Sequence, residues 1–206
     1  MSCLVWNARG LRNQRAFREL QRLIAEKNPS LIFFCETKLR DFNCKRWKVA
    51  LGFSGLFVVN CEGRSGGLIM LWKEPLNVTV FSYSSGHIDS IVQHGDKRWR
   101  FTGFYGHPEA NNRHISWTLL RRLSCMHDLS MLPWIVGGDF NEICFDSEKL
   151  GGNPRPLGQT RAFRDVLDAS NLQDLHAEGE FFTWVNRRAS PNVIFERIDR
   201  YVATFE

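Results

Sequence analysis

The 206-residue sequence is most informative at first in what it lacks. Its six cysteines, Cys3, Cys35, Cys44, Cys61, Cys125 and Cys144, form no C-x-x-C pair and sit mostly inside apolar runs. That spacing argues against a zinc site or a disulfide framework and for reduced core thiols. No apolar stretch approaches the roughly 18 residues needed to span a bilayer, so no membrane association is expected. The amino terminus carries no secretory signal pattern, because Asn7, Arg9 and Arg12 interrupt its apolar run. No repeat or low-complexity tract is visible. The charge excess is small, with 27 Lys and Arg against 22 Asp and Glu, or +5. Such an excess favours an anionic partner without resembling a histone-like tail.

What is present suits one substantial core. With 43% hydrophobic residues the chain is expected to form a single globular domain over residues 1–206, two small domains being the lesser alternative. Residues 2–6 read as a short strand that ends at Asn7 and turns at Gly10. Asn13 is a plausible N-cap for a helix over 13–27, with Phe17, Leu20 and Ile24 at helical spacing, and Asn28-Pro29 closes it. Residues 30–35 form a continuous apolar strand followed by Glu36. A strand, helix, strand order with apolar strands predicts neighbouring buried strands in an α/β layer.

Between Trp47 and Phe104 the pattern changes. Strands are expected over 55–60, 67–72, 77–83, 87–93 and 99–105, broken by Gly, Ser, Pro and Asp turns, as in an antiparallel meander. A helix is predicted over 111–128 with Ile115, Leu119, Leu120 and Leu123 on one face, then a strand over 132–136. A short helix over 160–167 and strands over 181–185 and 193–202 complete the reading.

Four polar endings follow apolar strands: Asn7, Glu36, the pair Asp139 and Asn141 in Trp134-Ile-Val-Gly-Gly-Asp139-Phe-Asn141, and Asp199. Period two places Asp139 and Asn141 on the same side of an extended segment. Loops at one end of α/β strands build sites, and an oxygen-only ligand set from separate strands suits Mg²⁺. Each residue also has a plainer reading. Asn and Asp at strand ends are common turn formers, Asp199 could pair with Arg197 or Arg200, and His107 could be a loop histidine. Glu36 resists that treatment, since a carboxylate directly after Ile32-Phe-Phe-Cys35 is poorly placed for a solvated face.

The order Trp6-Asn7-x-x-Gly10-Leu11, Glu36-Thr37, Gly103-Phe-Tyr105, Gly138-Asp139-Phe-Asn141, Phe182-Thr-Trp184 and Arg197-Ile-Asp199-Arg-Tyr201 resembles the endonuclease/exonuclease/phosphatase superfamily. The wording is most similar to the apurinic-site-endonuclease-like domain of plant LINE-type (non-LTR) retrotransposons. The resemblance implies a four-layer α/β sandwich of two mixed sheets flanked by helices. It implies a Mg²⁺-dependent (or Mn²⁺-dependent) phosphodiesterase that nicks DNA, acts as a monomer without a small-molecule cofactor, and resides in the nucleus or cytoplasm. Glu36 would be the principal metal ligand with Asn7 beside it. Tyr105 would steady the phosphate, Asp139 would orient or deprotonate water, and Asn141 would donate to the phosphoryl group. Asp199 would hold a histidine, and Arg9 and His107 would touch substrate.

Two departures accompany the resemblance. Arg9 stands where many apurinic-site enzymes carry an acid, which points toward the retrotransposon branch. The family's final Ser-Asp-His strand lies beyond the point where this sequence stops, so a domain lacking its last strand is expected, with reduced activity. The alternatives are an inactive retrotransposon relic binding DNA weakly through Arg9, Arg12, Arg15, Arg64, Arg187 and Arg188, and a phosphoinositide or sphingolipid phosphoesterase.

Overall fold

The computed structural model describes the chain apart from residues 11–13, 64, 127, 128, 130, 176, 177, 187, 189, 190, 205 and 206, with side chains left out at 14, 15 and 41–43. The expected N-cap Asn13, the side chain of Arg15, and Arg12, Arg64 and Arg187 therefore lie outside the described residues. The chain forms two compact units, Met1–Tyr105 and Gly106–Glu206. Among the described residues no helix is long and apolar enough to cross a membrane.

In the first unit, β1 (Cys3–Asn7) runs parallel to β2 (Leu31–Cys35), and α1 (Gln14–Lys27) makes the crossover. β2 then pairs antiparallel with β4 (Leu68–Trp72), which pairs with β3 (Gly55–Val59), giving a mixed sheet in the order β1-β2-β4-β3. One face presents Leu4, Trp6, Ile32, Phe34, Leu56, Val58, Ile69 and Leu71 to α1, through Phe17, Leu20 and Ile24. It meets a second helix, α2 (Asp41–Ala50), through Cys44 and Trp47.

The opposite face packs on the antiparallel strands β5 (Asn77–Ser84), β6 (His87–His94) and β7 (Lys97–Tyr105). Strand β2 lies against β7, and the Phe33 ring fills the space where Gly103 has no side chain: a Cβ there would lie 2.1 Å from the ring. Burial on both faces explains why β2 reads as an unbroken apolar run, and all five of its residues are buried.

In the second unit, β8 (Trp134–Asp139) pairs antiparallel with β13 (Asp199–Ala203), which pairs with β10 (Gln173–Asp174). A small antiparallel sheet joins β9 (Lys149–Leu150), β12 (Phe195–Glu196) and β11 (Trp184–Val185). Helices α3 (Arg113–Ser124) and α4 (Leu157–Ala169) pack on each other. Their inward residues include Leu120, Leu123, Phe163, Val166 and Leu167.

The α/β class with mixed sheets and helices is as expected, and several local expectations need correction. Helix α2 was not predicted. Helix α3 buries Arg113, Ser116, Leu120 and Leu123, whereas Ile115 is 53% exposed, so a charged residue takes the place the pattern gave to an isoleucine. Only Trp184–Val185 of the expected 181–185 strand is extended. The expected 193–202 strand is two strands in different sheets. The hydroxyl of Thr183 accepts the N–H groups of Ile198 and Asp199 at 3.1 and 3.0 Å, which takes those amides out of one ladder and starts the next.

Candidate active site

The first unit gathers three of the expected residues around Glu36. Because β1 and β2 are parallel and in register, their last residues, Asn7 and Cys35, are cross-strand partners. Glu36 follows immediately, and its φ of 51° lies in the left-handed region, which is uncommon for a residue with a long side chain. The turn is held by Gly10 N–H donating to Glu36 O at 2.7 Å. Beyond it, Thr37 and Lys38 donate to the carbonyls of Gly67 and Gly66. A Cβ on Gly67 would come within 2.6 Å of Thr37 Oγ1, so that close pairing requires glycine.

Two side chains converge on one oxygen of Glu36. Asn7 Nδ2 donates to Oε1 at 3.1 Å and Tyr105 OH donates to the same atom at 2.7 Å. Among the described residues Oε2 accepts no hydrogen bond. Asn7 Oδ1 accepts from Arg9 N–H at 3.1 Å, a local turn in which exposed Arg9 has φ 45°. The donor set is a carboxylate, an amide and a phenol. Oxygen ligands of this kind, few in number and one of them with an open lone-pair site, fit a hard cation such as Mg²⁺ that retains several waters.

The second unit gathers the others. Strand β8 runs through Asp139, which is only 2% exposed. The next residue but one, Asn141, is not on an extended continuation as period two implied. Its φ is 54°, and the chain folds back so that its N–H donates to Asp139 Oδ1 at 2.8 Å. Asn141 Nδ2 donates to Gly106 O at 2.8 Å, and Gly106 N–H donates to Asp139 O at 2.7 Å. A Cβ on Gly106 would sit 2.0 Å from Phe140 O, so the glycine of Tyr105-Gly-His-Pro108 is what allows this approach.

Asp199 lies directly opposite Asp139 in the β8/β13 register. Facing carboxylates on one sheet face repel, so this pairing is not explained by strand stability. Arg197 and Arg200, the other expected partners of Asp199, form ion pairs with Glu148 and Asp174 at 2.7–2.9 Å. His107 lies in the turn before α3. Its N–H donates to Ser116 Oγ at 2.7 Å, and its Nδ1 accepts from Glu109 N–H at 3.2 Å, which leaves the ring proton on Nε2.

Sequence reasoning missed the charges behind this second cluster. Arg155 bridges Glu196 and Glu142, Arg113 and Gln159 also reach Glu142, and Lys149 reaches Glu196. Burial pushes the Glu142 carboxyl above its ordinary value despite the guanidinium groups near it. Burial acts the same way on Glu196 and Glu148, but bonds from Arg155 and Lys149, and from Arg200 and Arg197, more than offset it and hold both below the usual carboxylate value.

Cys144, Glu148 and Asp174 come close enough to one another to suggest a metal site. A fully buried Arg200 guanidinium occupies that position instead, 3.1 Å from the Cys144 sulfur and 2.8 and 2.7 Å from the two carboxylates. The thiol is pushed up to about 11 by burial and stays neutral, a poor state for binding a cation. The signal that could have revealed the network is the presence of Glu196 and Arg200 within the apolar 193–202 segment.

The sequence profile of the endonuclease/exonuclease/phosphatase family matches residues 4–200. No curated protein sequence matches. Among solved structures, the endonuclease domain of TRAS1, a telomere-specific non-LTR retrotransposon, is 16% identical with a TM-score of 0.71, covering 98% of this chain and 84% of that one. The 3'-5' exonuclease NExo from Neisseria meningitidis is 17% identical, with a TM-score of 0.72 over 99% of this chain and 87% of its own. The AP endonuclease LMAP from Leishmania major is 14% identical, with a TM-score of 0.72 over 97% and 78%. These likenesses show a shared fold, and the profile match extends over nearly the whole sequence. The chain belongs to the endonuclease/exonuclease/phosphatase family.

Proposed function

We propose that this protein is a divalent-metal-dependent phosphodiester hydrolase that nicks DNA, as in target-site cleavage by a retrotransposon. The observation that carries the metal half is Glu36: a left-handed residue with one carboxylate oxygen anchored by Asn7 and Tyr105 and the other open. Backbone strain of this kind persists where the surroundings hold it in place, and it clusters at functional sites. Glu36, with Asn7 beside it, would hold Mg²⁺, or Mn²⁺ in its place, and the Asn7 amide fixes one oxygen of that carboxylate. When bound, the cation supplies stabilisation of the charge that develops on phosphate oxygens.

The other residues act on water and phosphate. Asp139 orients or deprotonates the attacking water. Asn141 carries two amide protons, of which one goes to Gly106 O, and the other is directed to a phosphoryl oxygen as negative charge builds there. Asp199, facing Asp139 across the ladder, belongs to the same reaction. Tyr105 steadies the carboxylate and the phosphate, and Arg9 and His107 lie toward the DNA backbone, where a cation and an N–H donor are suited to phosphate.

The structural likeness to a retrotransposon endonuclease and to an exonuclease supports DNA as substrate. In this reading the acting form is a monomer in the nucleus or cytoplasm. Purified protein incubated with supercoiled plasmid and Mg²⁺ should convert it to the open circle. Glu36→Ala and Asp139→Ala should each abolish most of that conversion. Nicking by these variants at the parent's rate would refute the assignment.

A further inference from the structure

Asn141 is held at three points: both backbone polar groups and the side-chain amide nitrogen. Its N–H donates to Asp139 Oδ1, its Nδ2 to Gly106 O, and its carbonyl accepts from Arg155 Nη1 at 2.9 Å. The first partner is local to β8, and the second is brought there by the turn that follows Tyr105. The third comes from the loop ahead of α4, and the side chain that makes it is only 11% exposed.

The orientation of Arg155 is set elsewhere. Its Nε and Nη2 grip the two oxygens of Glu196 at 3.1 and 2.7 Å, a forked pairing that fixes the plane of the guanidinium. Glu196 is 7% exposed and is held in turn by Lys149 Nζ at 2.6 Å. Once two of the three nitrogens are committed to Glu196, the direction of Nη1 is no longer free. It lies 2.9 Å from Asn141 O and 3.5 Å from Glu142 Oε2. The place of β12 is thereby relayed to the carbonyl of a left-handed residue.

We infer that Arg155 is a positioning residue for Asn141: by joining the Glu196 carboxylate to the Asn141 carbonyl it fixes the left-handed turn that aims the Asn141 carboxamide. In this role Arg155 acts through Asn141 and needs no contact of its own with water or phosphate. Its effect on catalysis rests on the reading of Asn141 as a phosphate-facing amide, whereas its effect on the Asn141 backbone does not. Lysine cannot replace it, because one ammonium group cannot span a two-oxygen fork and a carbonyl together. A purely stabilising ion pair with Glu196 would tolerate that replacement.

The experiment compares the parent with Arg155→Lys, Arg155→Gln, Asn141→Ala and the Asn141→Ala/Arg155→Lys double variant. The first readout is the backbone and side-chain amide NMR signals of Asn141, including its N–H to Hα coupling. The second is kcat and KM for plasmid nicking. In Arg155→Lys and Arg155→Gln the Asn141 signals should move away from left-handed values while those of β1 and β2 stay in place. A displaced reacting group costs on the order of 100-fold, so kcat should fall about 10- to 100-fold with little change in KM. The double variant should be no slower than Asn141→Ala alone. Unchanged Asn141 signals in both Arg155 variants would overturn the inference, and so would a double variant slower than Asn141→Ala. If the parent nicks nothing, the hydrolase reading fails, and the NMR signals alone decide whether Arg155 positions Asn141.

Discussion

The cluster around Glu36 and the cluster around Asp139 and Asn141 are built on opposite plans. Glu36 is held by two neutral donors on one oxygen, with the other oxygen open. Asn141 is bound at its backbone N–H, its backbone carbonyl and its side-chain amide nitrogen, and behind it lie the buried charges of Arg155, Glu142, Glu196 and Lys149. The difference matches the proposed tasks. A metal ligand needs a spare lone pair and modest support, whereas an amide that must meet charge on a phosphoryl oxygen needs a fixed direction.

The largest effect that separates the two plans is Glu36→Gln. The amide oxygen can still accept from Asn7 and Tyr105, so thermal stability should barely change. The charge is gone, and nicking should fall on the order of 1,000-fold, as for loss of a transition-state electrostatic group. Equal losses of stability and rate would mean that Glu36 is held for the fold.

In the second unit the balance should reverse. Arg200, with a fully buried side chain, ties Glu148, Asp174 and the Glu142 and Arg197 carbonyls together. Its removal in Arg200→Ala leaves buried carboxylates uncompensated, and should cost about 3–5 kcal/mol in chemical denaturation. Hydrogen exchange should show the loss concentrated in β8, β10 and β13. A cost below about 1 kcal/mol would show that the network is not structural.

A smaller effect is expected at Tyr105→Phe. It removes the bond to Glu36 Oε1 and leaves Asn7 in place, so nicking should fall at least about 10-fold, in line with roughly 1.4 kcal/mol from one hydrogen bond to a charged group. Fluorescence or calorimetric melting should be close to that of the parent.

The mildest test is pH. Glu148 and Glu196 are held below the ordinary value of 4.5, so their contribution is complete above that pH and is lost as pH falls through their lowered folded values. Glu142 is raised, so its protonated form is favoured by folding and it acts in the opposite sense as pH falls. Acid should therefore loosen the second unit with a slope reduced by Glu142. Replacing Glu148 and Glu196 with Gln should flatten the pH dependence of amide protection in β13 and β12, measured between pH 6 and pH 3.

Much of the first cluster could be read in the sequence because its causes are local. An apolar run buried on both faces identifies β2, and a carboxylate directly after it stands out. Helix α2 escaped because its inward positions, Cys44 and Trp47, are few and lie among lysines and an arginine. The turn at Asn141 was read as extended because its left-handed φ depends on partners at Asp139, Gly106 and Arg155, the last two 35 and 14 residues away. The break at 197–198 depends on a hydroxyl at Thr183, and Arg155 meets Glu196 across 41 residues. Spacing within a window carries no record of such pairings, which is why the residues of the second cluster could be named while the charges that fix them could not.

The proposed action of Glu36 and Asp139 in one hydrolysis is tested most directly by nicking of supercoiled plasmid with parent, Glu36→Gln, Asp139→Asn and the double variant. Members of one catalytic unit lose their effects together, so the double variant should be no slower than the slower single variant. Singles that nick like the parent, or losses that multiply in the double variant, would contradict it.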